Sequence, residues 1–194
     1  VRLEEGIEEI GPGAFYNTAI LEVRLPDSLR SLGSEAFATQ EQHLKSMVMH
    51  EVSIGKNLSY LGENAFGNLP VSNYVVSSGN ACFAVTDRML TDKGAKRLIA
   101  CPSGISGTVL VPEGISEIGN LAFAFCENVT DIYLPESVTS IAPMAFYDHS
   151  GAPEGWRQER PKLHFLSGTA AHAFAAERNW PYVLTDREEE ETVE

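Results

Sequence analysis

The sequence predicts an α/β repeat solenoid, in which short coils stack one on the next around a shared core. Two observations carry that expectation. A thirteen-residue pattern recurs five times, at 3–15 (LEEGIEEIGPGAF), 25–37 (LPDSLRSLGSEAF), 54–66 (IGKNLSYLGENAF), 111–123 (VPEGISEIGNLAF) and 134–146 (LPESVTSIAPMAF). Upstream of three copies lies an apolar alternation: Ile20-x-x-Val23-x-Leu25, Met49-x-x-Val52-x-Ile54 and Val129-x-x-Ile132-x-Leu134. One copy alone cannot bury its apolar face, whereas stacked neighbours do so for each other.

Each unit resolves into elements in order. The alternation with β-branched residues reads as a short strand with one face on the core. Pro26, Pro112 and Pro135 follow the first apolar column and end that strand, because proline cannot donate to a ladder. An extended segment follows, with Ile7, Leu29, Leu58, Ile115 and Val138 and then Ile10, Leu32, Leu61, Ile118 and Ile141 directed inward. Gly11, Gly33, Gly62 and Gly119 mark a tight corner or a close backbone approach, with Ala142 the exception. A short helical turn then carries the Ala-Phe pair, so that Phe15, Phe37, Phe66, Phe123 and Phe146 are expected to stack as one buried column.

These letters resemble the bacterial BspA-type (Treponema-type) leucine-rich repeat, over roughly residues 1–184. Cys126, three residues after Phe123, matches that family's A-F-x-x-C position. The resemblance implies a right-handed leucine-rich-repeat array of six or seven coils with a parallel sheet on its concave side. It also implies a variant unit in which a hairpin replaces the helical turn, and residues 73–102 fit it. Asn80, Phe83, Asp87, Leu90, Leu98, Ile99 and Pro102 match, while Arg88 stands where the family usually has Gly and predicts a looser or differently shaped turn. Phe83–Val85 and Arg97–Ile99 flank Asp92-Lys93-Gly94, which reads as the hairpin turn.

The spacing between copies supports the same division. Phe15 to Phe37 is 22 residues and Phe123 to Phe146 is 23, but Phe37 to Phe66 is 29 and Phe66 to Phe123 is 57. A short loop is therefore expected within 38–50, and the hairpin-type unit accounts for the longer gap. A Gly/Pro-rich loop at 149–161 holds Trp156. Leu163-x-Phe165 reads as a last strand, 167–181 as a helix stopped before Pro181, and Tyr182–Leu184 as a closing strand. Residues 1–184 are thus expected to form one domain with a C-terminal cap at 167–184. The acidic tail 185–194 is expected to be disordered.

Composition narrows function mainly by exclusion. The 194 residues carry 14 Lys and Arg against 27 Asp and Glu, a formal net charge of −13. That balance argues against nucleic acid or an anionic membrane surface as the main partner. No apolar run approaches the roughly 18 residues of a membrane-spanning helix. The chain starts without an initiator Met or a basic-then-apolar leader, so its first residues read as those of a trimmed product. Cys82, Cys101 and Cys126 are too few for a disulfide scaffold or zinc site, although a Cys82–Cys101 pair across the hairpin stays open. No hydrolase, zincin, P-loop or paired CxxC motif is present, so no catalytic residue, cofactor or metal is expected.

One arrangement points to binding. With Val23, Val52, Ile132 and Phe165 inward, their strand neighbours face outward in two columns. One reads Glu22, Glu51, Thr108, Asp131 and Lys162, and the other Arg24, Ser53, Leu110, Tyr133 and His164. The hairpin unit adds Asn73 and Val75. Most such residues form an ordinary solvated face, but Leu110 beside Tyr133 is the kind of exposed aromatic–aliphatic pair that marks a contact site. The candidate site is therefore Tyr133, Leu110, Arg24, His164, Glu22, Glu51 and Asp131, with Trp156 as a second exposed aromatic. The resemblance implies a secreted or cell-surface bacterial protein with an adhesion-type role. Its expected partner is a host or neighbouring-cell protein bearing a basic patch. A rigid spacer within a larger surface protein is the alternative, and a hydrolase site on the insertion loops near His149 or His164 the third reading.

Overall fold

The computed structural model describes residues 3–18, 20, 22–39, 51–67, 69, 71–94, 96–102, 104–124, 126, 128–146 and 160–186. The loop expected within 38–50, Trp156, His149 and most of the acidic tail lie outside these residues. In chain order the strands are β1 (Glu9–Ile10), β2 (Val23–Arg24), β3 (Ser31–Leu32), β4 (Val52–Ile54), β5 (Tyr60–Leu61) and β6 (Tyr74–Val76). They continue as β7 (Phe83–Thr86), β8 (Met89–Asp92), β9 (Arg97–Ala100), β10 (Ser106–Leu110), β11 (Glu117–Ile118), β12 (Asn128–Tyr133), β13 (Ser140–Ile141) and β14 (Lys162–Phe165). Helix α1 (Ala170–Glu177) and strand β15 (Tyr182–Leu184) follow.

The chain winds as a solenoid with parallel sheets, and each coil contributes more β-structure than its letters suggest. The apolar alternation forms β2-β4-β6 and β10-β12-β14-β15, which are parallel throughout. The expected extended segment is itself a second strand: β1, β3 and β5 pair in parallel, as do β9, β11 and β13. The Ala-Phe segment is a turn rather than a helical one. The residue before the pair is left-handed at Gly13 (φ 62), Glu35 (55), Asn64 (54) and Leu121 (56), which interrupts any helix. Beside bonds within the turn, such as Ala36 N–H to Gly33 O at 3.3 Å, the segment bonds from coil to coil. Phe15 N–H donates to Ala36 O at 2.7 Å, Phe37 N–H to Ala65 O at 2.8 Å and Phe123 N–H to Ala145 O at 3.0 Å.

The glycine column reflects close approach. A Cβ at Gly33 would lie 2.3 Å from Pro12 N, and one at Gly62 2.2 Å from Ser34 N, closer than any side chain tolerates. The column at 6, 28, 57, 114 and 137 carries a further contact. Ser28 Oγ accepts from Gly6 N–H at 2.9 Å and donates to Ile7 O at 2.9 Å. Ser137 Oγ accepts from Gly114 N–H at 3.2 Å and donates to Ile115 O at 2.8 Å. Each serine thus clamps the preceding coil, where a glycine with φ of +100 (Gly6) or +84 (Gly114) stands in the same column.

The phenylalanine column is two stacks, not one. Phe15–Phe37 and Phe37–Phe66 are parallel at 4.9 and 6.1 Å, and Phe123–Phe146 at 5.2 Å. Between Phe66 and Phe123 the stack is broken, and the buried apolar residues divide into two clusters there. Phe15, in the first copy, is only part-buried, unlike the other four.

The break is made by residues 73–102. They form a three-stranded antiparallel meander, β7-β8-β9, rather than the single hairpin read around Asp92-Lys93-Gly94. Thr86 pairs with Met89 across a two-residue turn in which Asp87 (φ 47) and Arg88 (φ 71) are both left-handed. Of the looser or differently shaped turn expected at Arg88, the looser form is not found: the turn is tight, with the left-handed pair that matches strand twist. Asn80 anchors the unit. Its side chain donates to Gly55 O and Leu58 O and accepts from Cys82 N–H and Phe83 N–H, at 2.8–2.9 Å. Cys82 and Cys101 are free thiols, and Cys126 Sγ rests 3.6 Å from Cys101 O.

At the other end α1 begins at Thr169, whose Oγ1 accepts from His172 N–H at 3.3 Å. Phe174 and Trp180 meet Phe146 at 5.7 and 5.2 Å, taking the place of a next phenylalanine. Trp180 Nε1 donates to Pro161 O at 2.9 Å, so its one polar atom is partnered. Beyond β15, Thr185 N–H donates to Phe165 O at 3.0 Å, and Asp186 accepts from Ser167 N–H at 3.0 Å.

Candidate functional site

The expected outward columns are held by strand register. In the C-terminal sheet Leu110 lies beside Tyr133 and Tyr133 beside His164, while Thr108 lies beside Asp131 and Asp131 beside Lys162. A bulge sets this alignment. Gly107 pairs with Val129 but Thr108 with Asp131, leaving Thr130 as the extra residue. Without it Leu110 would slip one position and Tyr133 would lose its neighbour.

The side chains on this face contact one another. The Tyr133 and His164 rings stack with centroids 4.2 Å apart and planes within 11°. His164 Nε2 lies 2.8 Å from Asp131 Oδ1, and Thr130 Oγ1 donates to Asp131 Oδ2 at 2.7 Å. These hydrogen bonds, that from Thr130 first and that with His164 next, hold the Asp131 carboxyl below the usual carboxylate range. Leu110 remains 63% exposed and Tyr133 39%. Val183, which pairs beside His164, extends the column with a 37% exposed side chain. Sequence reading left out Val183, although continued period-two alternation from His164 across one more strand points to it.

Glu22, Arg24 and Glu51 belong to the other sheet. Arg24 lies beside Ser53 and Ser53 beside Val75. Arg24 Nη2 is 2.6 Å from Glu22 Oε1, so that carboxylate is neutralised within its own strand. Glu51 accepts from Ser53 Oγ at 2.9 Å and from Asn73 Nδ2 at 3.5 Å. The seven candidates thus fall into two groups: Leu110, Tyr133, His164 and Asp131 on one sheet, and Glu22, Arg24 and Glu51 on the other. No ladder joins β6 to β10 among the described residues. Nor do three His, Cys, Asp or Glu side chains converge among those residues as a metal site requires.

The short parallel strands, the inward leucine columns and the glycine corners define a leucine-rich-repeat solenoid. The chain belongs to the BspA type leucine rich repeat region family, whose pattern matches six copies over residues 1–86 and 105–152. Solved structures share the fold. A leucine rich cell surface protein from Faecalibacterium prausnitzii A2-165 is 20% identical, with a TM-score of 0.63 over 96% of this chain and 59% of that one. The pneumococcal vaccine antigen PcpA is 22% identical, with a TM-score of 0.58 over 84% of this chain and 45% of that one. A leucine-rich repeat protein from Eubacterium ventriosum ATCC 27560 is 17% identical, with a TM-score of 0.52 over 86% and 53%. The chain thus spans about half to three-fifths of the length of these structures. Comparison with curated proteins gives no match. No helix among the described residues is long and apolar enough to cross a membrane.

Proposed function

We propose that this chain is a non-enzymatic protein-interaction module of a bacterial surface or secreted protein with an adhesion-type role. Its partner docks on the strand face centred on Tyr133. The observation that carries the reading is the pre-ordered aromatic pair: Tyr133 lies flat on His164, which is fastened to Asp131, with exposed Leu110 alongside. A side chain already fixed in place loses little entropy on binding, so its contact area contributes more fully to affinity. A spacer has no need of an apolar stripe on an open strand face. Family membership and the surface protein of similar fold support the compartment. The partner is a protein with an apolar patch and basic residues at its rim, matching the net charge of −13.

Surface plasmon resonance with a partner first captured from host-cell or matrix extract and then purified tests the reading. Tyr133→Ala should weaken binding by roughly thirtyfold, or ~2 kcal/mol, without lowering the melting temperature. Binding that survives Tyr133→Ala, Leu110→Ala and Glu51→Lys together would place the site elsewhere.

A further inference from the structure

A cavity of about 290 Å³ lies between the Ala-Phe turn of the third copy, residues 62–67, and that of the fourth, residues 119–124. One further Ala-Phe turn would occupy this space if the period were unbroken. The meander leaves it vacant, because the chain after β9 runs on to Cys101, whose N–H donates to Ala122 O at 2.6 Å. None of the residues of the two outward columns lines it, so it is distinct from the face around Tyr133.

Three features of the gap match what is missing. In the first two copies the N–H groups of the left-handed residue and of the phenylalanine both donate to the following turn. Gly13 bonds Ser34 O and Phe15 bonds Ala36 O, then Glu35 bonds Glu63 O and Phe37 bonds Ala65 O. In the third copy the corresponding N–H groups, of Asn64 and Phe66, have no partner among the described residues. The Oδ1 atoms of Asn64 and Asn120, two residues that line the cavity, are buried and unpaired. The aromatic stack stops at Phe66, with Tyr74 tilted 55° to it at 6.3 Å instead of continuing it. Unpaired buried polar groups are costly and normally find partners.

We propose that this gap is a docking slot for a partner peptide carrying an aromatic residue in a turn like the repeat's own. The aromatic ring packs on Phe66. Two backbone carbonyls, two residues apart, accept from Asn64 and Phe66 N–H, and peptide N–H groups donate to the Asn64 and Asn120 side chains. A free aromatic molecule would satisfy the stack but not the paired N–H groups, whose spacing is that of a backbone ladder. The volume is roughly twice the ~150 Å³ that admits benzene, which leaves room for backbone beside a ring.

The probe is the chain's own second turn, acetyl-GSEAFAT-amide (residues 33–39), titrated into the full ¹⁵N-labelled chain. The Asn64 and Phe66 amides should exchange fast in the free protein. They should shift saturably on titration and gain about tenfold protection or more. The peptide with Phe37→Ala should bind at least about tenfold more weakly. Ala124→Trp, which fills the slot, should abolish the shifts. If that variant melts early, Asn64→Gly serves instead, since it keeps the left-handed backbone and removes one acceptor, and it should also weaken binding. Amides as protected in the free protein as those of Phe37 and Phe123 would overturn the proposal. So would equal binding of both peptides, or binding of N-acetyl-phenylalanine amide as tight as that of the heptapeptide.

Discussion

Asn80→Ala tests how the meander is fastened to the array. The Asn80 side chain is 2% exposed and satisfies four backbone groups: Gly55 O, Leu58 O, Cys82 N–H and Phe83 N–H. The first two belong to the third repeat copy and the last two open the meander, so one carboxamide joins them. At about 1 kcal/mol net for each hydrogen bond, truncation should cost about 4 kcal/mol. That is a large share of the roughly 5–15 kcal/mol that stabilises a typical domain. Two other contacts should persist, the Asn80 N–H bond to Ser77 O at 2.9 Å and the Lys93 Nζ bond to Asn80 O at 2.7 Å, because both use backbone atoms. Urea unfolding followed by circular dichroism gives the loss, and amide exchange locates it. The Cys82 and Phe83 amides should exchange much faster, while Phe37 and Phe123, in the flanking stacks, change less. A loss below about 1 kcal/mol, or uniform acceleration along the chain, would refute the assignment of Asn80 as the fastening point.

Arg88→Gly should raise stability by about 1 kcal/mol, because glycine holds the left-handed backbone of that turn without strain; an unchanged calorimetric melting temperature would count against it. Phe123→Ala should cost about 3–5 kcal/mol and Phe15→Ala clearly less, since Phe15 is part-buried with a ring on one side only. Equal losses in urea melts would contradict the lesser burial of Phe15. Acid should remove the contribution of Asp131. Its carboxyl is held below the ordinary range, so the contribution is complete above about pH 4 and fades as pH falls through the depressed folded value. Asp131→Asn should flatten the fall in melting temperature below about pH 4, and a parallel fall in both proteins would argue against it.

Much of this architecture was legible because side-chain direction follows sequence period. The inward columns, the glycine contacts and the pairing of Leu110 with Tyr133 all follow from alternation and spacing. What stayed hidden depends on backbone path. Glu35 and Leu121 give no sign of left-handed backbone, so the turn before Phe37 and Phe123 reads as helical until the bonds between coils are seen. The broken stack follows from β9 leading directly to Cys101, which bonds Ala122 O with no Ala-Phe turn between, and no single letter in 97–101 announces that. Glu22 and Glu51 look like a stripe with Asp131 in the sequence, but the meander assigns them to a different sheet.

The serine clamp constrains how such an array can lengthen. Ser28 and Ser137 each grip a coil that presents glycine in the same column, while their own coils offer a hydroxyl there and no left-handed glycine. The two coils of each clamped pair are therefore unlike partners. Duplicating one coil alone would set serine against serine or glycine against glycine, and the bridging bonds would go unmade. Copying a glycine coil together with its serine neighbour preserves every clamp. By that contact, the smallest piece that could be copied with its clamp intact is a coil doublet of about 45 residues, twice the 22–23 that separate the phenylalanines of each clamped pair.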